Sequence, residues 1–194
     1  MCGSFEIGDT HSSMAASLAL RAVTAGGPGV VQAVGLIPDD DRGDWALMAL
    51  ANGGVGHAAM LRGPGRPIEP ADIDLAIRYL PDVRVVIAVD LAAATLRAIA
   101  DGAAYAGATA IVIVTAGPEA ADPTAAGDAL PPGALVLAAP TDDPDGTFAG
   151  FVAAFAVRID AGAAPADAWN ATLGALAVDS VSPRTGSRDR RSAG

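Results

Sequence analysis

Lysine is absent from this 194-residue chain. All 12 basic residues are arginine, so any phosphate contact must come from a guanidinium, a backbone N–H or a helix N-terminus. One cysteine, Cys2, excludes an internal disulfide and agrees with a reducing compartment. With no basic neighbour to lower its pKa, it reads as an ordinary thiol near the chain start. The two histidines, His11 and His57, lie far apart without a cysteine or acidic partner at ligand spacing, which argues against a zinc-type site. No apolar run reaches membrane-spanning length, because Gly, Asp or Pro interrupts each one. The start of the chain also lacks the basic-then-apolar order of a secretory signal. A soluble cytoplasmic protein is expected.

What the chain does contain is small aliphatic mass. Hydrophobic residues make up 52% of it and aromatics only 4%, a balance that suits thin strands and closely packed helices. The length fits one domain with a sizeable core, assigned to residues 1–182. Residues 183–194 read as a basic, flexible tail, with Arg184, Arg188, Arg190 and Arg191 against Asp189. The formal net charge is −10, and ahead of that tail eight arginines face 21 acidic residues. A body so acidic has no basic stripe for nucleic acid or an anionic membrane.

Buried-type strands alternate with Ala-rich helical stretches. Strands are predicted over 30–37, 83–89, 110–115 and 134–139. Helices are predicted over 12–24, 44–52, 69–80 and 95–105, from 147 onward, and over 164–179. This order argues for a three-layer α/β/α sandwich with a mostly parallel sheet. Functional loops then gather at the carboxyl ends of the strands: residues 38–41, Asp90, residues 115–119 and residues 140–145. Trp45 and Trp169, on helices at apolar spacing, are expected to be packing residues.

Three ordered segments carry a resemblance. The first reads VGLIPDDDRG over residues 34–43 and closes with Gly53-Gly54-Val55. The second is IVIVTAG over residues 111–117. The third is FAGFVAAF over residues 148–155, followed by the AWNATLGALAV helix over residues 168–178. Together they resemble the ribokinase-like, or PfkB-type, carbohydrate kinases. The resemblance implies that Asp40 is a substrate-side residue and that Thr115 and Gly117 form a turn beside ATP phosphates. It places Asn170 on a helix flanking the nucleotide. The family's G-G-x-x-x-N sugar grip corresponds loosely to residues 8–13, with Asp9 and Ser13 as the polar candidates; capping the first helix is the simpler job for Ser13.

Departures from the family pattern matter as much. Working members carry G-A-G-D before the FAGF helix, where backbone N–H groups hold the transferring phosphoryl charge and the Asp takes the hydroxyl proton. Here residues 143–146 are Asp-Pro-Asp-Gly. Gly146 falls on the base and cannot accept a proton. Pro144 removes one N–H donor. Asp143 and Asp145 would face gathered phosphate, and each such like-charge contact costs about 1–4 kcal/mol depending on solvation. A one-residue slip would make Asp145 the base instead. Neither a β-rich lid nor an N-x-x-E segment for Mg²⁺ is evident. Asp142, Asp143 and Asp145 are the nearest approach to a cation set, and no metal site is assigned.

The resulting expectation is a shortened, degenerate ribokinase-like homologue without efficient phosphotransfer and with no certain cofactor. It would act as a small-molecule-binding or assembly subunit, with a small polar ligand and a second copy or another protein as partners. Gly146 and Asn170 are retained as nucleotide-side positions. The alternative is an active sugar or nucleoside kinase that uses ATP and Mg²⁺ with Asp145 as base.

Overall fold

A computed structural model describes residues 1–5, 13–27, 29–63, 67–80, 82–115 and 133–181. Six strands form one sheet: β1 (Cys2–Ser4), β2 (Gln32–Ile37), β3 (Gly56–Arg62), β4 (Val85–Val89), β5 (Thr109–Thr115) and β6 (Leu135–Ala139). Their order across the sheet is β3-β2-β1-β4-β5-β6, and every pair is parallel. The helices are α1 (Met14–Ala25), α2 (Asp41–Asn52), α3 (Pro70–Tyr79), α4 (Ala93–Ala106), α5 (Thr147–Asp160) and α6 (Pro165–Val181).

Side-chain chemistry sets where these elements begin and end. Ser13 caps α1 by accepting the Ala16 N–H at 3.3 Å. Asp40 caps α2, accepting from Arg42 N at 3.0 Å and Gly43 N at 3.2 Å. With Asp41 and Asp44 in its first turn, α2 starts three residues before the expected position 44, because carboxylates there complement the helix dipole. Gly43 fits that turn for a second reason: a Cβ would collide with the Pro38 carbonyl oxygen. α3 opens with Pro70 at its start and the Glu69 N–H donating to Asp72 at 3.0 Å.

The sheet is covered on both faces. One face carries α1, α2, α5 and α6 over a core that includes Phe5, Leu18, Leu50, Ile111, Val152 and Phe155. The other carries α3 and α4 over Ile73, Val86, Leu96, Ile99 and Val112. Edge-to-face contacts of Trp169 with Phe151 (4.8 Å) and Phe155 (5.4 Å) fasten α6 onto α5. Trp169 is thus the packing residue the sequence suggests. Trp45 is not: it is 52% exposed on the outer side of α2, close to Met48, which is also exposed. Periodicity placed Trp45 on a helix but could not say which side faces the sheet.

Two strands were not anticipated. β1 has three residues, too few for a periodic signal. β3, GHAAMLR, lies at the sheet edge with no fully buried position and no β-branched residue, so it shows neither a continuous apolar run nor strict alternation. β1 changes the reading of Cys2, which is buried in the sheet with its thiol pKa pushed up by that burial. Among the described residues, no strand lies outside this sheet, and no helix is long and apolar enough to cross a membrane.

Candidate functional site at the carboxyl edge of the sheet

The strand order winds outward in both directions from the β1–β4 pair. At such a switch point the connections leave to opposite sides and open a crevice beyond the carboxyl ends of the strands. A cavity of about 610 Å³ lies there. Its walls combine Ser13 and Met14 from the start of α1, Ile37 and Pro38 from the end of β2, and Asp90 and Leu91 from the end of β4.

Asp90 is the least ordinary of these residues. Its φ is +49°, a left-handed conformation that few non-glycine residues adopt and that Asp tolerates better than most. Its N–H donates to the Ile113 carbonyl at 3.1 Å. Its carboxylate accepts from the Thr115 N–H at 2.7 Å and the Thr115 hydroxyl at 2.5 Å. The clasp joins the ends of β4 and β5 and occupies both polar hydrogens of Thr115, the groups that the resemblance assigns to phosphate. Gly117 and Asp9 lie outside the described residues.

The residues after β6 form the second part of the edge. Gly146 donates its N–H to the Asp143 carbonyl at 2.9 Å, closing a turn, and adopts φ +63°. Asp143 then folds its carboxylate over the start of α5, accepting from Phe148 N at 3.1 Å and Ala149 N at 2.9 Å. These are two of the N–H groups a helix leaves unpaired at its beginning, and they form the usual seat for a bound anion. A carboxylate of the chain itself fills that seat. Asp145 is exposed, and its backbone carbonyl accepts from Arg21 Nη2 at 2.8 Å. The Arg21 guanidinium lies against Gly146, where a Cβ would collide with it. Gly146 itself offers no side chain and so no proton acceptor.

Two of the remaining sequence candidates, Ser13 and Asp40, cap helices. Ser13 lines the cleft while capping α1. Asp40 caps α2 and pairs with Arg42 at 2.8 Å; the Arg42 hydrogen bond is the main cause holding its carboxyl below the ordinary range. Asp40 is not among the cleft-lining residues. Asn170 is exposed on α6. Arg62, at the end of β3, pairs with Asp44 and, at 3.8 Å, with Asp39. Among the described residues, no three His, Cys, Asp or Glu side chains come together as a metal site.

Sequence reasoning placed Asp90 at a functional strand end without giving it a role, and missed Arg21. Asp90 had a signal: an acidic residue directly after a continuous buried strand, VRVVIAV, stands where parallel sheets place function. Arg21 is the only charged residue within α1, which marks it as a side chain with a specific partner.

No family model and no curated protein matches this sequence. Solved structures do match its fold. A protein assigned as a ribokinase from Agrobacterium tumefaciens superposes with a TM-score of 0.56 at 14% identity, covering 87% of this chain and 83% of that one. A PfkB protein from Polaromonas gives 0.57 at 16% identity over 90% and 88% of the two chains. A fructokinase with bound ATP from Xylella fastidiosa gives 0.51 at 13% identity over 93% and 98%.

Proposed function

From the premise that the chain has the ribokinase-like fold, we propose that it is a shortened member of that lineage that has lost efficient phosphotransfer and serves as a small-molecule-binding or assembly subunit. The observation that carries this reading is the Asp143 carboxylate seated on the Phe148 and Ala149 N–H groups. A phosphoryl group seeking that helix start meets donors already satisfied and a negative charge in its place. Like charges a few ångströms apart cost about 1–4 kcal/mol, depending on solvation. Losing a general base removes a further factor of about 10² to 10⁴ in rate. Gly146, which aligns with the family's Asp, supplies no base, and Arg21 covers it.

The binding half of the proposal rests on the switch-point cleft, whose volume falls in the range of small-molecule sites. The assembly half rests on large apolar side chains left open on several helices: Trp45 and Met48 on α2, Leu75 and Tyr79 on α3, and Tyr105 on α4.

One preparation of the full chain tests both halves. Incubated with ATP·Mg²⁺ and a panel of sugars and nucleosides, it is expected to transfer no phosphate above the protein-free rate. In light scattering at micromolar concentration it is expected to exceed monomer mass. ATP-dependent turnover that Asp145→Asn abolishes would replace the proposal with an active kinase using Asp145. A monomer would remove the assembly role.

A further inference from the structure

The described walls of the switch-point cleft contain one charged residue and no basic one. Met14, Leu36, Ile37, Ile68, Val89 and Leu91 are among the apolar residues that line it. Asp90 supplies the charge, held in a left-handed conformation and fixed on both oxygens by Thr115. Backbone strain of this kind persists only where the surroundings over-determine it, and it collects at binding sites. The Thr115 bonds do not exhaust Asp90: an ionised carboxylate offers about four acceptor sites, and two are used. The side chain is therefore pre-positioned, with room for another donor. Solvent beyond the cleft sees an acidic body, which raises the local concentration of cations and lowers that of anions.

Resting on the reading that this cleft is the ligand site, we infer that its ligand is a small organic cation: an apolar body carrying an ammonium or guanidinium group that pairs with Asp90. A sugar phosphate or nucleotide is the wrong charge for the described walls. A neutral polyol leaves the carboxylate without a matching donor charge and meets largely apolar walls, which cannot satisfy its hydroxyls.

Three probes that differ in charge but share one ring test this directly: benzylamine, benzyl alcohol and benzoate, titrated into the full chain in amine-free buffer and followed by calorimetry or ligand-observed NMR. Benzylamine is expected to bind saturably and at least about tenfold more tightly than the other two, as a charge-assisted contact implies. Asp90→Asn keeps the side-chain shape and tolerates positive φ. It is expected to weaken benzylamine about tenfold and erase its advantage over the alcohol. Asp101→Asn, on the outer side of α4, changes net charge equally and is expected to leave the ranking intact. Equal binding of all three probes by the unaltered chain, no binding of any, or equal effects of the two substitutions would each overturn the inference. The probe ranking is read on the unaltered chain, so it survives a poorly folding variant. Phosphate transfer is not measured here, so failure of this inference is separate from failure of the proposed loss of kinase activity.

Discussion

Replacing Asp143 with alanine removes a helix cap and vacates an anion seat at the same time, and the two effects have opposite signs in the presence of phosphate. The side chain accepts two N–H groups at the start of α5, at 3.1 and 2.9 Å. Losing a cap of this type costs about 1 kcal/mol, within a range of about 0.5–2. Removing a negative charge from the positive end of the helix adds about 0.3–1 kcal/mol. For a domain of this size each kcal/mol moves Tm by about 2–4 °C, so Asp143→Ala should melt about 3–8 °C lower. Inorganic phosphate should then fill the vacated seat. At ten times its dissociation constant a ligand contributes about 1.4 kcal/mol, restoring about 3–6 °C. The unaltered chain, with Asp143 in place, should gain less than about 1 °C. The assay is a pair of melting curves for each protein, with phosphate and with chloride at matched ionic strength. The reasoning fails if the variant melts like the parent, or if phosphate stabilises both proteins equally.

Two further outcomes follow from neighbouring geometry. Gly146→Asp restores the family's residue at the base position, but in a left-handed conformation and against Arg21. The left-handed backbone should cost about 1–2 kcal/mol in urea unfolding, while the flexible Arg21 guanidinium swings aside or pairs with the new carboxylate; no ATP turnover is expected, and turnover by the variant would refute the proposed loss of phosphotransfer. Asp40 is held below its ordinary value of 3.8 in the folded chain, mainly by Arg42. The unfolded chain therefore takes up its proton first as pH falls, so the contribution of Asp40 is complete above pH 3.8 and fades below it. The stability gap between the parent and Asp40→Ala should accordingly be constant near neutrality and shrink in acid, as followed by urea unfolding across pH.

The sequence made the interior legible and the edges less so. Runs such as VVIAV in β4 and AIVIV in β5, rich in β-branched residues, read as strands buried on both faces, and the cap at Ser13 follows from local chemistry. β3 escaped because an edge strand needs no pattern beyond pairing on one side with β2. The loss of the G-A-G-D cradle was visible in residues 143–146. That Asp143 would itself cap α5 was not, because it bonds residues five and six positions ahead across a turn. An ordinary cap bonds two or three positions ahead of itself. The Asp90–Thr115 clasp spans 25 positions and depends on β4 and β5 being neighbours, a fact of topology that no local reading supplies.

The pairing of α1 with α5 has a consequence for how the chain is made. Arg21 and its partner Asp145 are 124 positions apart, and the apolar side of α1 packs against the helix that follows Asp145. A ribosome would release α1 long before its cover emerges, and β1, at the middle of the sheet, would wait for β4. The first quarter of the protein thus spends much of synthesis with its oily side uncovered. Its folding should be late and cooperative rather than progressive, and nascent chains halted before α5 should be favoured clients of holdase chaperones.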